Sequence, residues 1–122
     1  MRKVWLFLFG IAWAASASAQ LTAEDRMNRA GKNIAVTMCV ACHVVSRDQT
    51  IKPVLGPGIP SFEEIANRPG STIESLSSAM KVARWHDPAM AATLLPMSQL
   101  SEAQKRQVAS YILSLRTNSS VP

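Results

Sequence analysis

Cysteine is nearly missing from this chain: its 122 residues include two, Cys39 and Cys42. That number rules out the multi-bridge framework on which small exported domains with little core often rely. Histidine is as scarce, His43 and His86 alone, so no histidine-rich or acidic constellation of the kind that cleaves peroxide is present. The 13 Lys and Arg residues are scattered, with no basic run interleaved with aromatics. A nucleic-acid surface is therefore not expected. Convincing strand patterns are wanting too, and the periodicity that does occur is helical.

Long apolar runs are also short of what a membrane requires. Val4 to Ala15 spans about 12 residues, against roughly 20 for a spanning helix. It follows the positive pair Arg2 and Lys3 and precedes Ala17-Ser18-Ala19, the order of an export signal with its small-residue cleavage site. Cleavage after Ala19 is expected. Residues 1–19 are then a signal peptide, the periplasm is the destination, and no stable membrane insertion follows removal. The 103 residues from Gln20 to Pro122 suffice for one domain with a modest core. Without Arg2 and Lys3 the formal charge falls from +5 to +3, and Trp85 is the only tryptophan left. Its indole can either pack or hydrogen-bond a polar group.

What the chain does have is Cys39-Val40-Ala41-Cys42-His43. Cys-x-x-Cys-His is the covalent attachment signature of c-type haem. The spacing sets two sulfurs within reach of one porphyrin edge, and the adjoining imidazole supplies an axial ligand to iron. A redox disulfide competes, but the βαβ pattern that usually frames one is missing. A zinc site built from Cys39, Cys42, His43 and His86 also competes. Tetrahedral ligation by the adjacent Cys42 and His43 is awkward, and the second half-site lacks a paired spacing. Haem c, one per chain, is the favoured reading.

Helices account for most of the rest. Thr22 caps a first helix that carries Glu24 and Asp25 in its opening turn and runs to about Met38, delivering the motif at its end. Ser61 and Glu64 form a capping box for a short helix that stops at Arg68, before Pro69-Gly70. Ser71 and Glu74 form another, for a helix in which Ile73, Leu76, Met80 and Ala83 recur at helical spacing, so that Met80 reads as core. Ser101 and Gln104 open the last helix, with the apolar stripe Val108, Tyr111, Ile112 and Leu115. The polar tail from Thr117 to Pro122 is expected to fray.

Two connections are long and irregular. Val44 to Pro60 contains Gly56-Pro57-Gly58 and Pro60, yet offers Val44, Val45, Ile51, Val54 and Leu55 for burial. Loops of this length are usually functional or disordered. His86 to Leu100 is broken by Pro88 and Pro96 and also rich in apolar residues. The first is expected to wrap one haem edge, and the open haem face gives the second an apolar surface to cover.

Taken together, Gly31, the Cys39–His43 motif, Pro60-Ser61-Phe62 and Ala109-Ser110-Tyr111-Ile112-Leu113-Ser114-Leu115 resemble the small monohaem class I cytochromes c. The resemblance implies an all-α fold, a single domain of about four helices around one covalently attached haem. In that family a glycine eight residues before the first cysteine crosses an aromatic of the last helix, and Gly31 and Tyr111 match. Many relatives carry Met-Pro before the last helix; here the order is Leu95-Pro96-Met97. Met97 is the first choice for the distal iron ligand, Met90 the second and His86 the third.

Ligation decides what such a protein does. With His43 and a methionine on iron no position is open, and the haem can only exchange electrons at its edge. The resemblance therefore implies a one-electron carrier between periplasmic redox proteins and not an enzyme. A dedicated haem subunit of a periplasmic dehydrogenase is the alternative, and a gas sensor or peroxidase is the third.

Overall fold

The structure, a computed structural model, describes residues 21–81 and 99–117. Four helices and no strand occur among them: α1 (Ala23–Met38), α2 (Phe62–Ala66), α3 (Ile73–Lys81) and α4 (Glu102–Ser114). The all-α expectation holds. The segments read as signal peptide (1–19) and as most of the second long connection, with Trp85, His86, Met90 and Met97, lie outside the described residues.

Three helix starts follow from one device. A helix leaves its first N–H groups without internal partners, and a Ser or Thr at the cap with an acid or amide three residues on satisfies two of them. Thr22 and Asp25 do this for α1, Ser61 and Glu64 for α2, and Ser101 and Gln104 for α4. The fourth start differs from expectation. Ser71 does not cap α3; its hydroxyl donates to the Ile65 carbonyl at 2.6 Å. The cap is Thr72, paired reciprocally with Ser75 through bonds of 2.9 and 3.1 Å. A hydroxyl three residues on does the work expected of a carboxylate. The α2 boundary also moves. It ends at Ala66 and not Arg68, because Arg68 N–H tightens onto the Ile65 carbonyl and the Asn67 amide folds back on Glu63, leading into a turn at Gly70 with φ of +80°.

α1 and α4 form the main helix contact. Gly31 is buried where they cross, and a β-carbon there would collide with the Gln107 carbonyl. Only a residue without a side chain lets the backbones approach so closely. Beside this point Ser110 donates to the Asn28 side chain at 2.6 Å. The core runs from the crossing through Ala35, Val45, Phe62, Ala66, Val108 and Ile112. Arg116, just beyond α4, braces the α2–α3 turn by donating to the carbonyls of Ala66 and Ser71 at 2.9 and 2.8 Å. Thr117, expected to fray, bonds Asn67 at 3.0 Å.

The connection between α1 and α2 is irregular, as expected, and the polypeptide itself covers only part of its apolar content. Val45 is fully buried, whereas Val44, Ile51, Val54 and Leu55 are exposed, Val54 at 84%. The reason lies in the anchoring. Tyr111 draws the Val45 carbonyl inward, while the following residues arch out from bonds at Gln49 and at Ala41.

Candidate functional site

The motif lies where α1 ends. Cys39 closes the helix with its N–H on the Ala35 carbonyl, and Cys42 and His43 both return N–H bonds to the Cys39 carbonyl at 3.1 and 2.9 Å. The five residues thus curl as one further turn, which is what brings three chemically active side chains into a short compass. Cys39 is buried, Cys42 is half-buried, and both thiols are free. Burial, with Cys42 as a secondary cause, pushes the Cys39 thiol up to about 11, so it is protonated at neutral pH.

His43 is held from two directions. Its Nδ1 lies 2.7 Å from the Pro60 carbonyl. A carbonyl can only accept, so Nδ1 carries a proton here, which leaves Nε2 as the nitrogen placed to ligate. The imidazole also packs against Phe62, with ring centroids 5.4 Å apart, and Phe62 in turn meets the Tyr111 ring edge-on at 6.4 Å. Burial, and secondarily the Asp48 carboxylate, raises the Tyr111 hydroxyl above its ordinary range. It therefore stays protonated and donates to the Val45 carbonyl at 2.8 Å.

These residues border a cavity of about 370 Å³. Cys39 and His43 lie on its wall with side chains from every other helix: Phe62 and Ile65 of α2, Leu76 and Met80 of α3, Val108 and Ile112 of α4. Arg68 is the one charged residue among the described residues lining it. A large flat apolar body with an anionic edge suits such a lining. The Cys39 thiol and His43 imidazole on its wall, with the Cys42 thiol in the same turn, add covalent and metal-ligating capacity, so the residues present fit a haem of the c type. Among the described residues no group of three or more His, Cys, Asp or Glu side chains is arranged to hold a metal ion directly, and His86, the fourth member of the zinc alternative, lies outside them.

The structure brings together Cys39, Cys42 and His43, and it adds Phe62 and Leu100, to which the sequence assigns no place at the site. Met80 was read as core; it does pack on the core cluster, and it also lines the cavity. Phe62 was noted only as part of a resemblance, yet it is the ring against His43. Its placement directly after the Ser61 cap, as the only phenylalanine outside the first 19 residues, was the available signal. Leu100, the buried end of the second connection, closes another part of the wall. Met97 and Met90, the distal-ligand choices, fall outside the described residues.

Compared with known families, the chain matches the model described as Cytochrome c over residues 29–116. No match was found among curated proteins or solved structures.

Proposed function

The chain belongs to the cytochrome c family, and from that premise we propose that it is a periplasmic one-electron carrier with one covalently bound haem. Family membership itself implies haem-based electron transfer. The observation that carries the finer reading is the His43 imidazole, fixed by the Pro60 carbonyl beside an apolar cavity lined by the motif and by α2, α3 and α4. When bound, haem supplies an iron centre that cycles between two oxidation states.

The chain's own residues then divide the work. Cys39 and Cys42 hold the group through two thioethers. His43 ligates the iron through Nε2, and the Pro60 carbonyl on its other nitrogen raises its basicity and fixes the ring. Leu76, Met80, Val108 and Ile112 exclude water, which keeps the charge change from being dissipated by solvent reorganisation. Arg68 offers a positive group for the anionic edge. Met97 completes the ligand set, with Met90 as the second choice, and a thioether there favours a higher potential than a second histidine would. Removal of residues 1–19 after export remains part of this proposal.

The exposed Ile51, Val54 and Leu55 favour a second reading, a haem subunit seated on a larger dehydrogenase through this arch. Stable co-purification would separate it from a free shuttle. The test of the main reading is an absorption spectrum of the exported protein, oxidised and reduced, with acid extraction into organic solvent. Colour that stays with the polypeptide, and a reduced form whose spectrum changes little on adding carbon monoxide, are expected. Extractable colour, or a strong carbon monoxide response, overturns it.

A further inference from the structure

One side chain in the arch after the motif makes three hydrogen bonds to backbone groups. The Gln49 amide accepts from the Val45 N–H at 2.8 Å through Oε1 and donates from Nε2 to the His43 carbonyl at 3.3 Å and the Ile51 carbonyl at 2.6 Å. The orientation of the amide is not arbitrary, since the oxygen faces an N–H and the nitrogen faces two carbonyls. Gln49 is half-buried, and the Val45 it grips is fully buried.

These bonds flank the site's key pairing. Residues 43–45 and 60–62 run beside each other, joined by His43 Nδ1 on the Pro60 carbonyl and by Phe62 N–H on the Val44 carbonyl at 2.9 Å. Gln49 fixes the peptide groups on both sides of Val44, at the His43 carbonyl and the Val45 N–H. Tyr111 fixes the Val45 carbonyl from the far side.

We propose that Gln49 is a positioning residue for the iron ligand, its amide holding His43 in register with Pro60 and thereby setting the basicity of Nε2. The inference rests on the haem reading above. A stronger Nδ1–H bond makes Nε2 a better donor and favours ferric iron. Loosening the clamp weakens that bond and moves the midpoint potential upward. Both ends of the amide are required, because a carboxylate at this place could accept from Val45 but would repel the two carbonyls.

The test uses haem-loaded protein with Gln49→Met, which keeps the length of the side chain and removes all three bonds, and Gln49→Glu, which keeps one. Both should raise the midpoint potential and displace the paramagnetically shifted ring-proton resonances of His43 in the ferric form. Thr22→Ala serves as a control that weakens a remote cap. It should lower thermal stability while leaving the potential and those resonances in place. Gln49 variants that lower stability only, or a Gln49→Glu protein that matches the parent, overturn the proposal. Should neither variant accumulate, amide hydrogen exchange in the parent protein decides: Val45 N–H must be protected like a helix interior, and exchange at the rate of an open loop overturns the clamp. Parent protein lacking bound haem would sink the cytochrome reading instead, while the Val45 exchange result would still report on the clamp itself.

Discussion

Gly31 of α1 and Tyr111 of α4 meet so closely that a β-carbon on the glycine would sit 2.8 Å from the Cβ of the tyrosine, with the Gln107 carbonyl nearer still. Backbone cannot swing aside as a flexible side chain does. Gly31→Ala should therefore destabilise the protein by about 1–3 kcal/mol, despite the helix propensity gained, because overpacking separates the two helices. Thermal unfolding of the haem-loaded variant measures it, and an unchanged or raised midpoint temperature would contradict the packing described.

Arg116 should prove the main brace of the turn on the cavity's edge. Arg116→Ala leaves the Ala66 and Ser71 carbonyls without their shared donor. The loss should be about 1–2 kcal/mol in urea unfolding, as a lower midpoint at constant slope. Arg116→Lys should restore little of it, since one ammonium cannot reproduce the forked geometry.

Acid should weaken the helix starts. Bonds from Thr22 hold the Asp25 carboxyl below its ordinary value, and bonds from Ser61 do the same for Glu64. A carboxyl depressed by folding stabilises the native state above the unfolded value, and that contribution is lost as pH falls through the folded one. Thermal stability should accordingly decline on acidification below the ordinary carboxylate range, about pH 4. Asp25→Asn with Glu64→Gln should flatten that decline, and a profile as steep as the parent's would assign the acid sensitivity elsewhere.

Distal ligation can be read by spectroscopy. Met97→Ala should retain covalently held haem yet lose the weak long-wavelength band expected of His/Met ligation, whereas Met90→Ala should keep it. The reverse pattern makes Met90 the ligand.

Loss of one anchor should be felt by the whole fold. Cys39→Ala removes one thioether and opens a gap in the core beside Ala35 and Val45. Exported protein should be scarce and poorly folded, because a domain of this size has little other apolar surface to bury. A folded, haem-free Cys39→Ala protein would refute that dependence.

The motif and three of the four helix starts could be read from the chain because each rests on local chemistry. A Ser or Thr followed three residues later by Asp, Glu or Gln satisfies its own N–H groups whatever surrounds it. The α3 start differs because Ser71 and Glu74 have the right spacing, but the Ile65 carbonyl, six residues back in α2, claims the Ser71 hydroxyl once the intervening turn folds. Outward arching of residues 51–55 likewise depends on Tyr111 and Gln49 bonds that no periodicity reveals. His43 was legible as a ligand, whereas Phe62 as its packing partner depends on tertiary proximity.

α4 joins positions far apart along the chain: Asn28 of α1 and Ser110 are separated by 82 residues, and Val45, in the connection after the motif, and Tyr111 by 66. Closing so wide a loop costs entropy before any contact repays it, and rates fall as contact order rises. The cavity is incomplete until that closure, since its α4 wall arrives only with it. Until then Cys39 stands on an unfinished cleft, open to whatever reagent is to join it.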